Sequence, residues 1–326
     1  MNNNLLFSVI MPNYNNAEYI KEAIESVLGQ SYKNWELIIV DDASTDSSLK
    51  VIKSFLKNKK IKLIRNKKNK GVAYSAKKAV ENSSGEIIGT LDSDDVLHED
   101  ALRIMVKAHL DNPKYGLIYS SFYDYDERLK KIIKIRKGIQ NISKEVTVAD
   151  LFFDKDVDNV PSIHFRTFKK SAYDKTEGYD ETLRACEDWD IYSKLEKVTN
   201  IKGIKRYIYY RRMHGKIGAY QNNFKWGYYR LLYFYKELNR RTGQTLPCSN
   251  TKKFSPFLMN IRYFYFKKYS NISKEEFKNF FLSLAYYNRK KNILKAFFYG
   301  LNSILYGYNP LKSKTIKKLF SRILQK

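Results

Sequence analysis

The sequence predicts an open α/β domain over residues 1–218, followed by a basic, mainly helical region over residues 219–326. Three observations lead there. Two short apolar runs, residues 36–40 (ELIIV) and 86–90 (EIIGT), each end in clustered aspartates, and runs of this length read as buried strands. Residues 17–31 place Ile20, Ala23, Ile24, Val27 and Leu28 on one helical face, the stripe expected of a helix packed on a sheet. Charge is divided very unevenly: residues 1–200 hold 32 Lys and Arg against 31 Asp and Glu, whereas residues 201–326 hold 28 against 3.

Taken in order, residues 8–15 (SVIMPNYN) read as a strand running into a Pro-containing turn, and residues 17–31 as the amphipathic helix. The second strand, residues 36–40, ends in Asp41 and Asp42, with Ser44, Thr45 and Asp46 as helix-start residues. The run EIIGT then delivers LDSDD at residues 91–95. Side chains alternate along an extended segment, so Asp92 and Asp94 point the same way, about 7 Å apart. Three carboxylates this close repel unless a cation sits among them. Hard oxygen ligands suit Mg2+ or Mn2+, ions that commonly bridge a carboxylate to phosphate oxygens. A phosphate-bearing substrate is the first inference. The structural alternative is an acidic cap on the helical segment 98–110. Two strands ending in aspartates favour one shared site, because ligands of open α/β sheets bind outside the carboxyl ends of the strands.

The motifs SVIMPNYN, WELIIVDDASTDSS, NKGVAYS at residues 69–75, GEIIGTLDSDD and EGYDETLRACEDWDIYSKL at residues 177–195 stand in this order. Together they resemble the family 2 glycosyltransferases over roughly residues 5–215. The resemblance implies a GT-A fold, a Rossmann-like domain that binds a nucleotide-diphosphate sugar and transfers the sugar with inversion to an acceptor hydroxyl. It implies that Pro12, Tyr14, Asp41 and Asp42 line the nucleoside pocket, with Asp42 accepting a hydrogen bond from the base. Asp94 would bind Mn2+ or Mg2+, and Asp92 would hold the ribose or support the metal from behind. Asp95 is open between ligand and structural residue. Asp188 matches the family's catalytic base, with Glu187 as the neighbouring alternative and a plain helix cap as the structural one. In residues 210–214 (YRRMH), Arg212 would face the diphosphate and His214 would complete the metal shell. Relatives commonly carry Ala-Arg-Asn where this chain has Ser75, Ala76 and Lys77, so either a nucleotide contact is weakened or Lys77 or Lys78 replaces the arginine, and UDP is a preference among nucleotides.

The chain has 326 residues, 43% hydrophobic and 15% aromatic, enough to bury a sizeable core. Its cysteines are Cys186 and Cys248. With no signal peptide ahead of the first strand, a reducing cytoplasmic setting without a disulfide is expected, and Cys186 reads as a packed hydrophobe.

The basic region admits several readings. Lys and Arg interleaved with Tyr and Phe at residues 261–268 would suit nucleic acid, but zinc-ligand spacing and RNA-binding signatures are missing from the tail, so no nucleic acid is expected. A processive polysaccharide synthase of the same superfamily is nearer. Residues 221–226 (QNNFKW) miss the Q-x-x-R-W spacing by one residue, and residues 293–308 are too short and polar for a membrane span. Addition of one sugar per acceptor is preferred, the acceptor being a glycan, a lipid-linked carrier or a protein in surface glycan synthesis, its specificity carried by loops such as residues 124–158. A nucleotidyltransferase would carry a Gly-rich loop near the first strand, where SVIMPNYN has no glycine. In residues 314–324, Ile316, Leu319, Phe320, Ile323 and Leu324 form a stripe flanked by Lys314, Lys317, Lys318 and Arg322. This is the form of an interfacial helix on an anionic membrane surface, placing the protein peripherally on the inner face of the cell membrane. The alternative is that the stripe packs on the catalytic domain.

Overall fold

The computed structural model describes residues 4–137 and 164–215, together with Tyr233, Glu237 and Arg240. The chain divides into two units, Met1–Ile217 and Gly218–Lys326, and the elements below all belong to the first. The readings placed on residues 138–158, 221–226, 261–268 and 314–324, and on Cys248, lie outside the described residues. No helix among the described residues is long and apolar enough to cross a membrane.

The first half alternates strand and helix: β1 (Phe7–Asn13), α1 (Ile20–Leu28), β2 (Trp35–Asp41), α2 (Ser48–Phe55), β3 (Ile61–Arg65), α3 (Val72–Glu81) and β4 (Ile87–Thr90). Next come β5 (Val96–Leu97), α4 (Ala101–Asp111), β6 (Tyr115–Tyr125), β7 (Ile132–Arg136), β8 (His164–Lys169), α5 (Lys170–Tyr173), α6 (Glu187–Val198) and β9 (Asn200–Arg212). One mixed sheet runs β3-β2-β1-β4-β8-β6-β9-β5, with β7 paired to β6. Strands β1 to β4 are parallel, whereas β8 runs antiparallel to both β4 and β6.

Every residue of β2 is buried. A strand covered on both faces needs a continuous apolar run, which ELIIV supplies. Phe7, Val9 and Met11 of β1 and Leu37 and Ile39 of β2 pack with Ile20, Ala23, Ile24 and Val27 of α1 in one cluster. Each fully buried Ile or Val of α1 contributes about 1.5–3 kcal/mol. Gly89 lets β4 lie against β1's aromatic ring: a Cβ there would stand 2.6 Å from Phe7 Cε1.

The chain leaves β1 towards β2 on one side and returns to β4 on the other. The crevice outside the carboxyl ends of β1, β2 and β4 is therefore the topological switch point, where ligands of such sheets bind. Helix α4 begins at Ala101 with Asp100 at its N-cap, and β5 lies between it and the acidic motif. None of Asp92, Asp94 and Asp95 caps that helix, so the helix-cap alternative falls.

Candidate active site

The mouth of the crevice is laced by side chains from the turns after β1 and β2. Asn13 Nδ2 donates to Asp41 Oδ1 (3.0 Å) and Ser44 Oγ (3.1 Å), and the Asn15 N–H donates to Ser44 Oγ at 3.0 Å. Asp41 is fully buried; its Oδ2 accepts from the Ser44 N–H at 3.1 Å. This corrects the expectation that Asp41 lines the pocket, because alternation turns it inward while Asp42 turns towards the next loop. Asp42 Oδ1 accepts from Asn66 Nδ2 and the Lys70 N–H, each at 2.8 Å, and Oδ2 accepts from the Gly71 N–H at 2.7 Å. Three of a carboxylate's about four acceptor positions are filled, leaving one on Oδ2. Gly71 takes φ +97°, a left-handed backbone that a side chain would strain. Tyr14, just after β1, is 46% exposed, and Pro12 is half-buried near the end of β1. Lys78 Nζ donates to Asn66 Oδ1 at 3.0 Å, whereas Lys77 pairs with Glu181 at 3.0 Å. Lys78 is the cation tied to the Asp42 loop.

Beyond β4 the three aspartates take separate tasks. Asp95 is 3% exposed, its Oδ2 accepting from Tyr209 Oη (2.6 Å) and its Oδ1 from the Arg212 N–H (2.7 Å). Burial, Asp94 and Asp92 push its carboxyl well above the usual range. Through these two bonds it fastens β9 to the acidic turn. Asp94 Oδ2 stands 3.1 Å from His214 Nε2. Two ligand atoms on adjacent corners of an octahedral ion, each about 2.1 Å from it, lie about 3 Å apart. The carboxylate and imidazole therefore fit a divalent cation as neighbouring ligands. Among the described residues no group of three His, Cys, Asp or Glu could hold a metal, so diphosphate oxygens and water would supply the other positions.

Arg212 does not face a diphosphate. Its side chain is 2% exposed, and its Nε donates to the Asp94 carbonyl (2.8 Å), Nη1 to the Glu127 carbonyl (2.5 Å) and Nη2 to Glu22 Oε2 (2.6 Å). The guanidinium also lies 4.9 Å from the Tyr19 ring centre. With three of its five N–H donors bound to the chain and almost none of its side chain open to solvent, it is not placed to meet a diphosphate, which corrects the expectation from the YRRMH motif. Its task is to clamp the acidic turn to α1 and the β6–β7 turn.

The proposed base faces a cation that the motifs did not indicate. Arg166, on β8, donates from Nε to Thr90 Oγ1 (3.1 Å) and from Nη1 to Asp188 Oδ2 (3.2 Å), and its Nη2 lies 3.9 Å from Asp92 Oδ1. One guanidinium thus joins Asp188 to the first acid of D-x-D. Asp188 sits in the first turn of α6, where its Oδ1 also accepts from the Trp189 N–H at 2.9 Å. Within helix α6, Lys194 pairs with buried Asp190 at 2.7 Å, and Lys194 Nζ ties the helix to the preceding loop by donating to the Gly178 carbonyl at 2.6 Å. Cys186, ahead of it, is buried and in a left-handed conformation, φ +60°.

Crowding raises several carboxyls here. Asp188 is raised by burial, against the pull of Arg166. Glu187 is pushed up to about 8 by burial and by Asp188. Asp92 is raised by burial, with Arg166 opposing and Asp94 and Asp188 adding, although 44% of its side chain still reaches solvent, which moderates the rise. The cluster holds more carboxylate than Arg166 neutralises, an environment that favours a bound cation. Asp188, half-open and paired with Arg166, is held in the basic form more readily than Glu187.

Two further residues escape the motifs. The Tyr209 hydroxyl links Asp95 to the N–H of Asp92, 3.4 Å away. The His164 ring stacks on Tyr209 at 5.0 Å, and burial together with Arg166, Arg211 and Arg136 holds it well below the usual histidine range. His164 and Arg166 belong to the string HFR, which reads simply as strand.

The family model for glycosyl transferase family 2 matches residues 8–176. A chondroitin synthase of Pasteurella multocida (strain Pm70) is 30% identical over 217 residues, covering 67% of this chain and 22% of the relative. A hyaluronan synthase of Pasteurella multocida is 30% identical over 224 residues, with the same coverages of 67% and 22%. The chain thus spans about a fifth of the length of these relatives. Among solved structures, S. aureus TarS 1-349 in complex with UDP-GlcNAc matches with a TM-score of 0.57 at 18% identity, covering 98% of this chain and 92% of that one. The mannosyltransferase PcManGT from Pyrobaculum calidifontis, in complex with GDP-Man and Mn2+, matches with a TM-score of 0.54 at 16% identity, covering 98% and 86%. The fold is the GT-A fold that the motifs implied. With the family model matching more than half of the chain and the acidic motifs gathered at one switch point, the protein belongs to glycosyl transferase family 2.

Proposed function

We propose that this protein transfers a sugar from a UDP-sugar to an acceptor hydroxyl with inversion, one sugar per acceptor, in the synthesis of a surface glycan. The observation that carries the reading is the Arg166 bridge, which sets a carboxylate suited to proton abstraction beside the D-x-D acids. The complexes of the S. aureus neighbour with UDP and UDP-GlcNAc support the nucleotide. The GDP-Man and Mn2+ complex of the P. calidifontis neighbour supports a divalent metal.

In this reading the acceptor oxygen attacks the anomeric carbon as the bond to the diphosphate oxygen breaks, and the acceptor proton passes to Asp188. A hydroxyl is a weak nucleophile at neutral pH, so a carboxylate within hydrogen-bond reach is needed. A single displacement inverts the anomeric centre. Asp94 and His214 would hold Mn2+ or Mg2+, which supplies neutralisation of the leaving diphosphate. Arg166 keeps Asp188 ionised and oriented, Asp92 faces the ribose side, and Asp42 offers its remaining lone pair to the base. The test incubates the protein with Mn2+ and a panel of nucleotide sugars and acceptors. A glycosylated product of inverted configuration supports the proposal; retained configuration contradicts it.

A second reading, repeated addition to one growing glycan, is favoured by the synthase names of the Pasteurella relatives. Product sizing from a defined acceptor separates the two. A product one sugar longer supports single addition, and a ladder supports polymerisation.

A further inference from the structure

The large apolar side chains exposed among the described residues are Tyr14, Leu56, Ile132, Ile133 and Ile135. Three of these five lie on β7, at 43%, 57% and 54% exposure. Strand β7 pairs with β6 alone among the described residues. It sits within RLKKIIKIRK, residues 128–137, a stretch with six cations and no acid. Arg136 is spent on Asp124 at 2.8 Å, while Arg128, Lys130, Lys131, Lys134 and Lys137 are exposed.

The pairings Tyr123↔Ile135 and Tyr125↔Ile132 set the isoleucines beside half-buried tyrosines. That aromatic surface continues onto β9, with Tyr123 stacked on Tyr207 at 4.8 Å and Tyr125 against Tyr210 at 5.3 Å. Lysines alone would be the ordinary guard of an edge strand. Three protruding isoleucines undo such a guard and call for an apolar partner.

We propose that the β6–β7 hairpin is a membrane-contacting element that seats its isoleucines in an anionic lipid surface. Charge selects this occupant. The same hairpin of a second copy, with its six cations and no acid, would be repelled by the fringe. An anionic headgroup layer over an apolar interior matches cations that surround isoleucine and tyrosine. The turn of the hairpin is also fixed to the crevice: Tyr19 Oη donates to Glu127 Oε1 at 2.6 Å, and Arg212, clamped to Asp94, donates to the Glu127 carbonyl at 2.5 Å. Lipid under the hairpin would lie next to the acidic turn. The lipid contact stands apart from the proposed reaction; only its use in presenting a lipid-linked acceptor rests on that reading.

The test uses the full chain carrying Cys248→Ser and Ile133→Cys, labelled with an environment-sensitive fluorophore; buried Cys186 leaves the label at one place. With vesicles of phosphatidylcholine plus phosphatidylglycerol, the emission should shift to the blue and be quenched by nitroxide-labelled lipid. Vesicles of phosphatidylcholine alone should leave it unchanged. A label that stays in water while the protein floats with anionic vesicles overturns the proposal, since the basic region would then be the anchor. So does a label shielded before vesicles are added, or one that responds equally to polyglutamate, which would mean an acidic protein partner. As a second measurement, the double variant Ile133→Asp/Ile135→Asp should partition to anionic vesicles at least about tenfold more weakly at 0.15 M salt, where surface charge is screened beyond about 8 Å, with unchanged UDP affinity. Unchanged partition overturns the proposal as well.

Discussion

The guanidinium of Arg166 lies 3.2 Å from Asp188 Oδ2 and 3.9 Å from Asp92 Oδ1. A nearly buried cation from β8 thus ties the proposed base on α6 to the acidic turn after β4. Burial raises the Asp188 carboxyl and Arg166 pulls it back down, so the sign of a substitution is fixed. Arg166→Ala should raise the Asp188 pKa and move the acid limb of the kcat/KM profile to higher pH, with activity partly recovered as pH rises. Arg166→Lys should restore part of the shift. A uniform loss at every pH would mean that Arg166 acts only through structure.

Glu187 offers a stability test. Its folded pKa of about 8 stands above its ordinary value of 4.5, so the protonated form is favoured by folding. The stability it contributes is full below pH 4.5 and is lost as pH rises through about 8. Glu187→Gln should melt like the parent at pH 5 and at a higher temperature than the parent at pH 8.5. Equal melting at both values would contradict the assignment.

Asp188→Asn should leave UDP affinity nearly intact while turnover falls by roughly 10²–10⁴. Glu187→Gln should retain most of the turnover. The reverse pattern, measured by product formation under saturating donor, would move the base to Glu187.

Arg212 is a clamp, and its removal should act on folding. Arg212→Ala leaves the Asp94 and Glu127 carbonyls without their donor and Glu22 without its partner. Because Glu22 is half exposed, the cost should be moderate, about 2–3 kcal/mol in denaturant unfolding. Wild-type stability with a tenfold loss of UDP affinity would return Arg212 to the diphosphate.

The sequence made the parallel half of the fold legible because β1, β2 and β4 are short apolar runs with punctuated ends, and because α1 carries a full stripe. It also marked the right turns for chemistry. What it did not show is which member of an adjacent pair faces the crevice. Asp41 and Asp42 are neighbours at the end of a strand, where successive side chains point opposite ways, whereas Asp94 and Asp95 are parted by a turn closed by the Asp95 N–H on the Asp92 carbonyl at 3.1 Å, so the extended alternation expected of Asp92 and Asp94 does not hold. Register decides between them, and register depends on pairings such as Val96↔Tyr210 that are far apart in sequence. Arg166 was hidden for the same reason: within HFRTF it is one strand residue, and its partners Asp92 and Asp188 come from two other elements. Strands β6 and β9, rich in Tyr and broken by bulges, lack the clean apolar run that announces β2.

The most direct test of the account is calorimetric titration of UDP with and without Mn2+, on the parent and on Asp94→Ala. The pair Asp94 and His214, 3.1 Å apart, predicts that the parent binds UDP tightly only when Mn2+ is present and that Asp94→Ala loses this metal dependence. Metal-dependent UDP affinity equal in the two proteins would contradict the account.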